Sequence, residues 1–105
     1  MGNYVAIMVT CVSRREAGRI ADSLLAKRLV ACANIIPGVE SKFRWKGKID
    51  KAREVLLIMK TRRDNFAKVE KAVKHLHGYE VPEIIAMPIV AGSREYLKWL
   101  KESIR

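Results

Sequence analysis

The most constraining feature of the sequence is a pair of strand-like segments, residues 39–60, that fold back at a single glycine. Phe43 and Trp45 alternate with basic residues, and this period of two places aromatic and basic side chains on opposite faces of a strand. Lys46 and Gly47 fit a tight turn, because glycine readily takes the positive φ that such turns need. The pattern predicts a long antiparallel hairpin whose arms, at about 10 residues each, span roughly 33 Å.

Three further strand segments are indicated by apolar, β-branched runs, and the second of them continues into the first arm of the hairpin, so that four strands are predicted. The three segments are residues 4–12, 30–36 and 81–90. The first run is apolar at nearly every position, which is typical of a central strand covered on both faces. Pro37 and Gly38 interrupt the second run with a bend or bulge, after which the chain enters the hairpin.

Apolar residues at helical spacing predict three helices: 14–29, 65–77 and a C-terminal helix that begins after Ser93. Ser13 and Glu16 form a capping box, in which Ser13 accepts from the amide of Glu16 and Glu16 reaches back to the amide of Ser13. Asp64 is the expected cap of the second helix. The resulting order, β-α-β-β-α-β plus a C-terminal helix, predicts an α+β ferredoxin-like sandwich.

Length and composition fit one domain over residues 1–105. The longest apolar run, Ile84 to Ala91, has eight residues, whereas a membrane-spanning helix needs about 20. Arg14 and Arg15 follow the first apolar run rather than precede it, unlike the charges of a signal peptide. We therefore expect a soluble, cytoplasmic protein.

Basic charge is concentrated in the middle of the chain. The net charge is +10, and residues 41–74 hold twelve basic and four acidic side chains. This region is either a solvated surface or a binding face for a polyanion. An RNA-binding module of ferredoxin-like fold is the alternative function, but such modules stack bases on aromatic residues of the third strand. The corresponding residues, Arg53 to Lys60, include no aromatic side chain, which argues against nucleic acid as a partner.

Four segments follow one another along the chain: Leu29–Gly38, Phe43–Ile49, His77–Ile84 and Tyr96–Leu100. Together they resemble the signatures of the CutA divalent-cation-tolerance family. The resemblance implies a cytoplasmic homotrimer, often thermostable, that is linked to tolerance of metals such as copper. It also implies kinship with the trimeric PII signalling proteins and no enzyme activity. The sequence likewise lacks an evident nucleophile–base pair.

The family resemblance implies copper ligands at a Cys that ends the first strand and at two adjacent His after the second helix. Cys11 and His77 match this pattern, but Leu76 stands where the other His would be. Residues two apart on a helix point about 200° apart, so His75 cannot join His77 on one ion. We expect weak binding of copper or another divalent ion at Cys11 and His77. The competing interpretation is a buried Cys11 thiol and two histidines, His75 and His77, at a helix C-terminus, where the helix dipole favours them.

The turn before the last strand carries side chains suited to a ligand cleft or a subunit interface: Tyr79, Glu80, Pro82 and Glu83. Lys60 and Arg62, at the end of the third strand, are the expected ion-pair partners of these acids. By analogy with PII proteins, a small anionic metabolite is a conceivable ligand. Four aromatic residues are predicted to pack in the trimer: Phe43, Trp45, Tyr96 and Trp99.

Overall fold

The computed structural model describes residues 3–105. Its elements are β1 (Tyr4–Cys11), α1 (Arg14–Ala26), β2 (Cys32–Trp45), β3 (Lys48–Arg62), α2 (Phe66–Leu76), β4 (Ile84–Pro88) and α3 (Arg94–Ser103). A short 3-10 turn, Arg63–Asn65, precedes α2. This order confirms the predicted fold class. No helix within the described range is long and apolar enough to cross a membrane.

The four strands form one antiparallel sheet in the order β2-β3-β1-β4, as in a ferredoxin-like sandwich. Alternate residues of β1 are fully or nearly fully buried, and they pack with residues of β3, α1 and α2. The core includes Val5, Ile7, Val9, Cys11, Leu57, Met59, Ile20, Leu24, Val69 and Val73. The intervening residues of β1 are only half-buried, so the expectation of a strand covered on both faces is wrong for one protomer.

The hairpin of β2 and β3 has the predicted turn and a longer reach than the rest of the sheet. Lys46 and Gly47 both take positive φ, 51° and 77°, which matches the right-handed twist of the two arms. The pairing of β1 with β3 ends at Cys11 opposite Val55, so the hairpin beyond Val55 projects past the sheet. The molecule is accordingly 44 Å long but only 26 and 23 Å in its other dimensions.

The hairpin faces follow from the register. Phe43 lies opposite Asp50 and Trp45 opposite Lys48, whereas Arg44 lies opposite Ile49. Partners in register share a face and neighbours along a strand alternate, so Phe43 and Trp45 share one face and Arg44 lies on the other. Lys48 therefore lies on the aromatic face. A strict alternation of basic and aromatic residues through the turn would instead have placed it on the opposite face, with Arg44. The predicted bulge is present between Ile36 and Val39.

Two helix ends differ from expectation. Helix α1 ends at Ala26 rather than near 29, because Arg28 takes a left-handed conformation with φ 59° that terminates the helix. Asp64 does not cap α2; its carboxylate accepts from Arg62 over 3.2 Å instead. Asn65 stands at the cap position but directs its side-chain amide to the carbonyl oxygen of Leu29.

The last strand is also shorter than predicted: β4 covers Ile84–Pro88 rather than 81–90. The chain before Ile84 is used in the turn that follows α2. Pro82 in this turn has no amide hydrogen to contribute to a strand ladder. Ser13 and Ser93 do cap their helices as predicted, accepting from the amides of Glu16 and Tyr96.

Candidate functional site

A buried polar cluster forms where β1 and α2 end and α1 begins. Cys11 is the last residue of β1, Glu16 lies in the first turn of α1, and His77 directly follows α2. One potential ligand atom from each side chain lies within 4.8 Å of the others, and all three residues are buried. The topology thus brings Cys11 and His77 together, as the sequence analysis expected, and adds a carboxylate that it did not.

Glu16 holds two loops together. Its Oε1 accepts from the backbone amide of Val12 over 2.9 Å, and its Oε2 accepts from the amide of Gly78 over 2.8 Å. The predicted return bond to the amide of Ser13 is therefore wrong, because the carboxylate spans from the start of α1 to the end of α2. The capping-box spacing marked Glu16 as a polar residue with a local role, and no local pattern could reveal a partner 62 positions away.

Both ring nitrogens of His77 are engaged by backbone groups. Nδ1 accepts from the amide of Tyr79 over 3.0 Å, so the ring proton resides on Nε2, which donates to the carbonyl oxygen of Thr10 over 2.7 Å. Oε1 of Glu16 lies 3.7 Å from the same Nε2. His75 is exposed and takes no part in the cluster, as its helical position predicts.

The thiol of Cys11 is protonated at neutral pH. Burial raises its pKa to about 12, and the nearby carboxylates of Glu16 and Glu54 add to the shift. A metal ion binds the thiolate rather than the thiol, so an ion at this cluster must displace a strongly held proton.

The donor types of the cluster fit copper or zinc, since thiolate selects Cu(I) and zinc, and imidazole suits both metals. Cys11, Glu16 and His77 are the residues that would hold it. As the cluster stands, however, its imidazole lone pair and both carboxylate oxygens are occupied by hydrogen bonds. An ion must therefore compete with contacts that hold the fold together, which favours weak binding.

A second arrangement adjoins the cluster at Tyr79. Its hydroxyl donates to Oε2 of Glu54 over 2.7 Å, and its ring lies 4.8 Å from that of His77, centroid to centroid. Burial and the Glu54 hydrogen bond raise the pKa of the Tyr79 hydroxyl. Glu54 is itself buried. A continuous set of contacts therefore leads from the cluster to the base of the hairpin.

Tyr79 also lines a cleft of about 710 Å³ between the hairpin and the turn after α2. Glu80 and Glu83 line it from the turn, and Phe43 and Trp45 line it from the hairpin. Pro82 is half-buried in the same turn but does not border the cleft. The structure thereby brings residues of the turn and the hairpin aromatics together in one cleft, whereas the sequence analysis treated them as two separate groups.

Lys60 and Arg62 lie at the other end of β3, opposite Ala6 and Tyr4 of β1. Lys60 donates to Oδ1 of Asn34 over 3.0 Å, and Arg62 pairs with Asp64. Within one chain they are therefore not the partners of Glu80 and Glu83, because the turn adjoins the opposite end of β1.

The four predicted packing aromatics are all substantially exposed in a single protomer. Phe43 and Trp45 lie on the hairpin and are 39% and 40% exposed. Tyr96 and Trp99 lie on α3, 40% and 44% exposed, with ring centroids 5.4 Å apart. The hydroxyl of Tyr96 is 3.6 Å from Sγ of Cys32, at the start of β2. The aromatics thus form two separate apolar sites.

Fold and site together define a ferredoxin-like protein with a projecting hairpin and a buried thiol–carboxylate–imidazole cluster at the root of that hairpin. The family model for the CutA1 divalent ion tolerance protein matches residues 5–103. The chain therefore belongs to the CutA family of divalent-cation tolerance proteins.

Similar proteins come from distant organisms. The divalent-cation tolerance protein CutA of Thermus thermophilus is 46% identical, over 92% of this chain and 94% of its own length. The chloroplastic CutA protein of Arabidopsis thaliana is 43% identical over 96% of this chain, which spans only 56% of that protein.

Solved structures of CutA proteins have the same fold over nearly the whole length of this chain. The structure of the Thermus thermophilus Cut A1 protein superposes with a TM-score of 0.95 at 44% identity, covering 97% of this chain and 99% of that one. A CutA structure from Archaeoglobus fulgidus, titled a periplasmic divalent cation tolerance protein, gives 0.94 at 45% identity, covering 97% and 99%.

Proposed function

We propose that this protein responds to divalent metal ions by weak, reversible binding of copper or a similar ion at the Cys11, Glu16 and His77 cluster. The observation that carries the proposal is the convergence of three different ligand types within 4.8 Å in the buried interior. A closed structural zinc site usually offers four committed ligands, whereas this cluster offers three, and two of them, Glu16 and His77, already have hydrogen-bond partners. Such a site suits a response to excess metal better than permanent storage.

A homotrimer is the proposed working form. The exposed aromatics support it, because soluble monomers rarely leave such apolar sites uncovered. The outer strands β2 and β4 each present an unpaired edge within one protomer, and the hairpin extends this edge beyond the sheet. Association of three copies about an axis would cover edges and aromatics in one closed assembly. Thermostability is a further expectation from the family resemblance. It would follow from assembly, because folding and association of the subunits are then coupled.

The proposed role is binding and response, in the cytoplasm, rather than catalysis. The state of Cys11 supports this view, since a nucleophilic thiol requires a lowered pKa and this pKa is raised. The apolar central residues of β3 likewise give no support to RNA binding by base stacking. A PII-like signalling role with a small anionic ligand remains a prediction from family resemblance.

Native mass spectrometry of the protein purified from its own host tests assembly and metal together. We expect a trimer that carries substoichiometric copper or another divalent ion and releases it on mild chelation. A folded monomer would contradict the assembly, and a full complement of ions that survives a strong chelator would contradict weak binding.

A further inference from the structure

Tyr79 makes two contacts with His77 and a third with a residue of the hairpin. Its backbone amide donates to Nδ1 of His77 over 3.0 Å, and its ring lies 4.8 Å from the imidazole, centroid to centroid. Its hydroxyl donates to Oε2 of Glu54 over 2.7 Å. One half-buried residue in the turn after α2 thus connects the imidazole of the cluster with strand β3.

The amide of Tyr79 uses the only lone pair that the imidazole ring offers. A neutral imidazole has one nitrogen that accepts and one that donates, and here Nε2 donates to the carbonyl oxygen of Thr10. An ion held through Nδ1 would take this lone pair directly. An ion held through Nε2 would leave the ring proton on Nδ1, where it would face the amide proton of Tyr79. In either arrangement, the hydrogen bond from the Tyr79 amide to the ring is lost.

Glu54 lies where the hairpin leaves the sheet. It pairs in register with Val39, directly beyond the bulge in β2, and the next residue of β3, Val55, is the last one that lies opposite β1. Glu54 is only 8% exposed, and among residues 3–105 the hydroxyl of Tyr79 is the one donor to its carboxylate. Because a buried carboxylate that loses its donor is costly, the position of Tyr79 affects the base of the hairpin.

We propose that Tyr79 is a positioning residue that couples ion binding at the thiol–carboxylate–imidazole cluster to the base of the hairpin. Without an ion, the hydroxyl bond to Glu54 holds the turn where the Tyr79 amide occupies Nδ1 of His77. With an ion, the amide leaves Nδ1 and the hydroxyl leaves Glu54. This coupling rests on the metal response proposed above and gives that response a route to the hairpin.

Such a coupling is reciprocal, so it has a defined sign. The hydrogen bond between Tyr79 and Glu54 opposes entry of the ion, because it must break when the amide leaves the ring. Removing the hydroxyl therefore removes part of the cost of binding. Tyr79→Phe should bind an ion more tightly than the wild type, although none of the three potential ligands is changed. If Tyr79 only supported the turn, its loss would disorder the ligands and weaken binding.

Zinc titration followed by NMR, on untagged, assembled protein whose tyrosines alone carry isotope-labelled nitrogen, tests the coupling. The chain has three tyrosines, so the spectrum holds three amide signals. The amide signal of Tyr79 should shift, and its proton should exchange faster with solvent, as zinc binds. Tyr96 is the internal reference, because its amide donates to Ser93 at the start of α3. Cys11→Ser, which removes a ligand, should abolish the change at Tyr79.

The zinc affinity, measured by calorimetry, is the second readout. Tyr79→Phe should bind zinc at least about fivefold more tightly than the wild type, within the usual range of coupling between two sites. Tyr4→Phe is the matched control, because it removes the same hydroxyl at the start of β1, whereas Cys11 ends that strand. This control should leave the affinity unchanged.

Three results would overturn the coupling. A Tyr79 signal that stays fixed while zinc binds at Cys11 would do so and leave the metal response intact. Unchanged or weaker zinc binding by Tyr79→Phe would also do so, since Tyr79 would then only support the turn. Absence of zinc binding by the wild type, even at millimolar concentration, would overturn both the coupling and the metal response.

Discussion

The imidazole of His77 lies against the backbone of Thr10, with Nε2 2.7 Å from the carbonyl oxygen. This contact joins the end of α2 to the end of β1, immediately before Cys11 in the chain. The amide of Tyr79 occupies the other ring nitrogen, so the histidine is fully engaged without any metal. The contacts of the cluster therefore stabilise the junction of β1, α1 and α2 without a metal ion. An ion can bind there only by displacing them.

Glu16→Gln should lower the free energy of unfolding by about 1–3 kcal/mol, because the amide group replaces one of two acceptor oxygens and leaves a partly buried backbone amide without its bond. Urea unfolding at fixed protein concentration measures this loss. Asp22→Asn is the matched control, since Asp22 is an exposed acid on the same helix and should change stability by less than about 0.5 kcal/mol. Equal losses in both variants would contradict the bridging role of Glu16.

Alkaline pH should destabilise the protein through Cys11. The thiol pKa is near 9.0 when unperturbed and about 12 in the fold. Between these values the unfolded chain loses the proton and the folded chain keeps it, so the free energy of unfolding falls as pH rises. One such group lowers the free energy of unfolding by at most about 1.4 kcal/mol per pH unit.

Urea unfolding at about pH 8 and about pH 10 checks this dependence. Cys11→Ser should show a smaller fall in stability than the wild type, whereas Cys32→Ser should retain the wild-type fall. If Cys11→Ser and wild type fell equally, the buried thiol would not be its source.

Trp45→Ala should weaken assembly and lower the melting temperature together, because folding and association are linked. Trp45 is 40% exposed in one protomer and shares a hairpin face with Phe43. Ile49→Ala is the matched control: Ile49 is 73% exposed and lies on the other face of the same hairpin. Sedimentation equilibrium and thermal unfolding measure the two effects. An intact trimer in the Trp45 variant would show that this aromatic is not part of the interface.

The hairpin could be predicted from sequence because its determinants are local. Alternation around Phe43 and Trp45 sets the faces, and Gly47 sets the turn, so the register follows within a few residues. The hairpin face on which Lys48 lies does not follow from the alternation alone, because it depends on the turn having two residues. Asp64 shows a similar limit: its sequence position suits a helix cap, but it lies inside the 3-10 turn that precedes α2 and pairs with Arg62 instead.

The candidate site was only half predictable. Cys11 and His77 could be named from family resemblance, but Glu16 has a complete local explanation as a capping residue. Its actual bond to Gly78 depends on how α1 and α2 pack side by side. The cleft is likewise tertiary, because Trp45 and Glu80 share it only through the placement of the hairpin beside the turn.

Copper titration of the metal-free protein, with His77→Ala and Cys11→Ser beside the wild type, tests the proposed response most directly. The account predicts weak wild-type binding that strengthens between about pH 6 and about pH 8, because the Cys11 thiol must release its proton. Binding should be lost in both variants and kept in His75→Ala, whose imidazole is exposed and remote from the cluster. A stoichiometric sub-micromolar site, or undiminished affinity in the Cys11 and His77 variants, would contradict it.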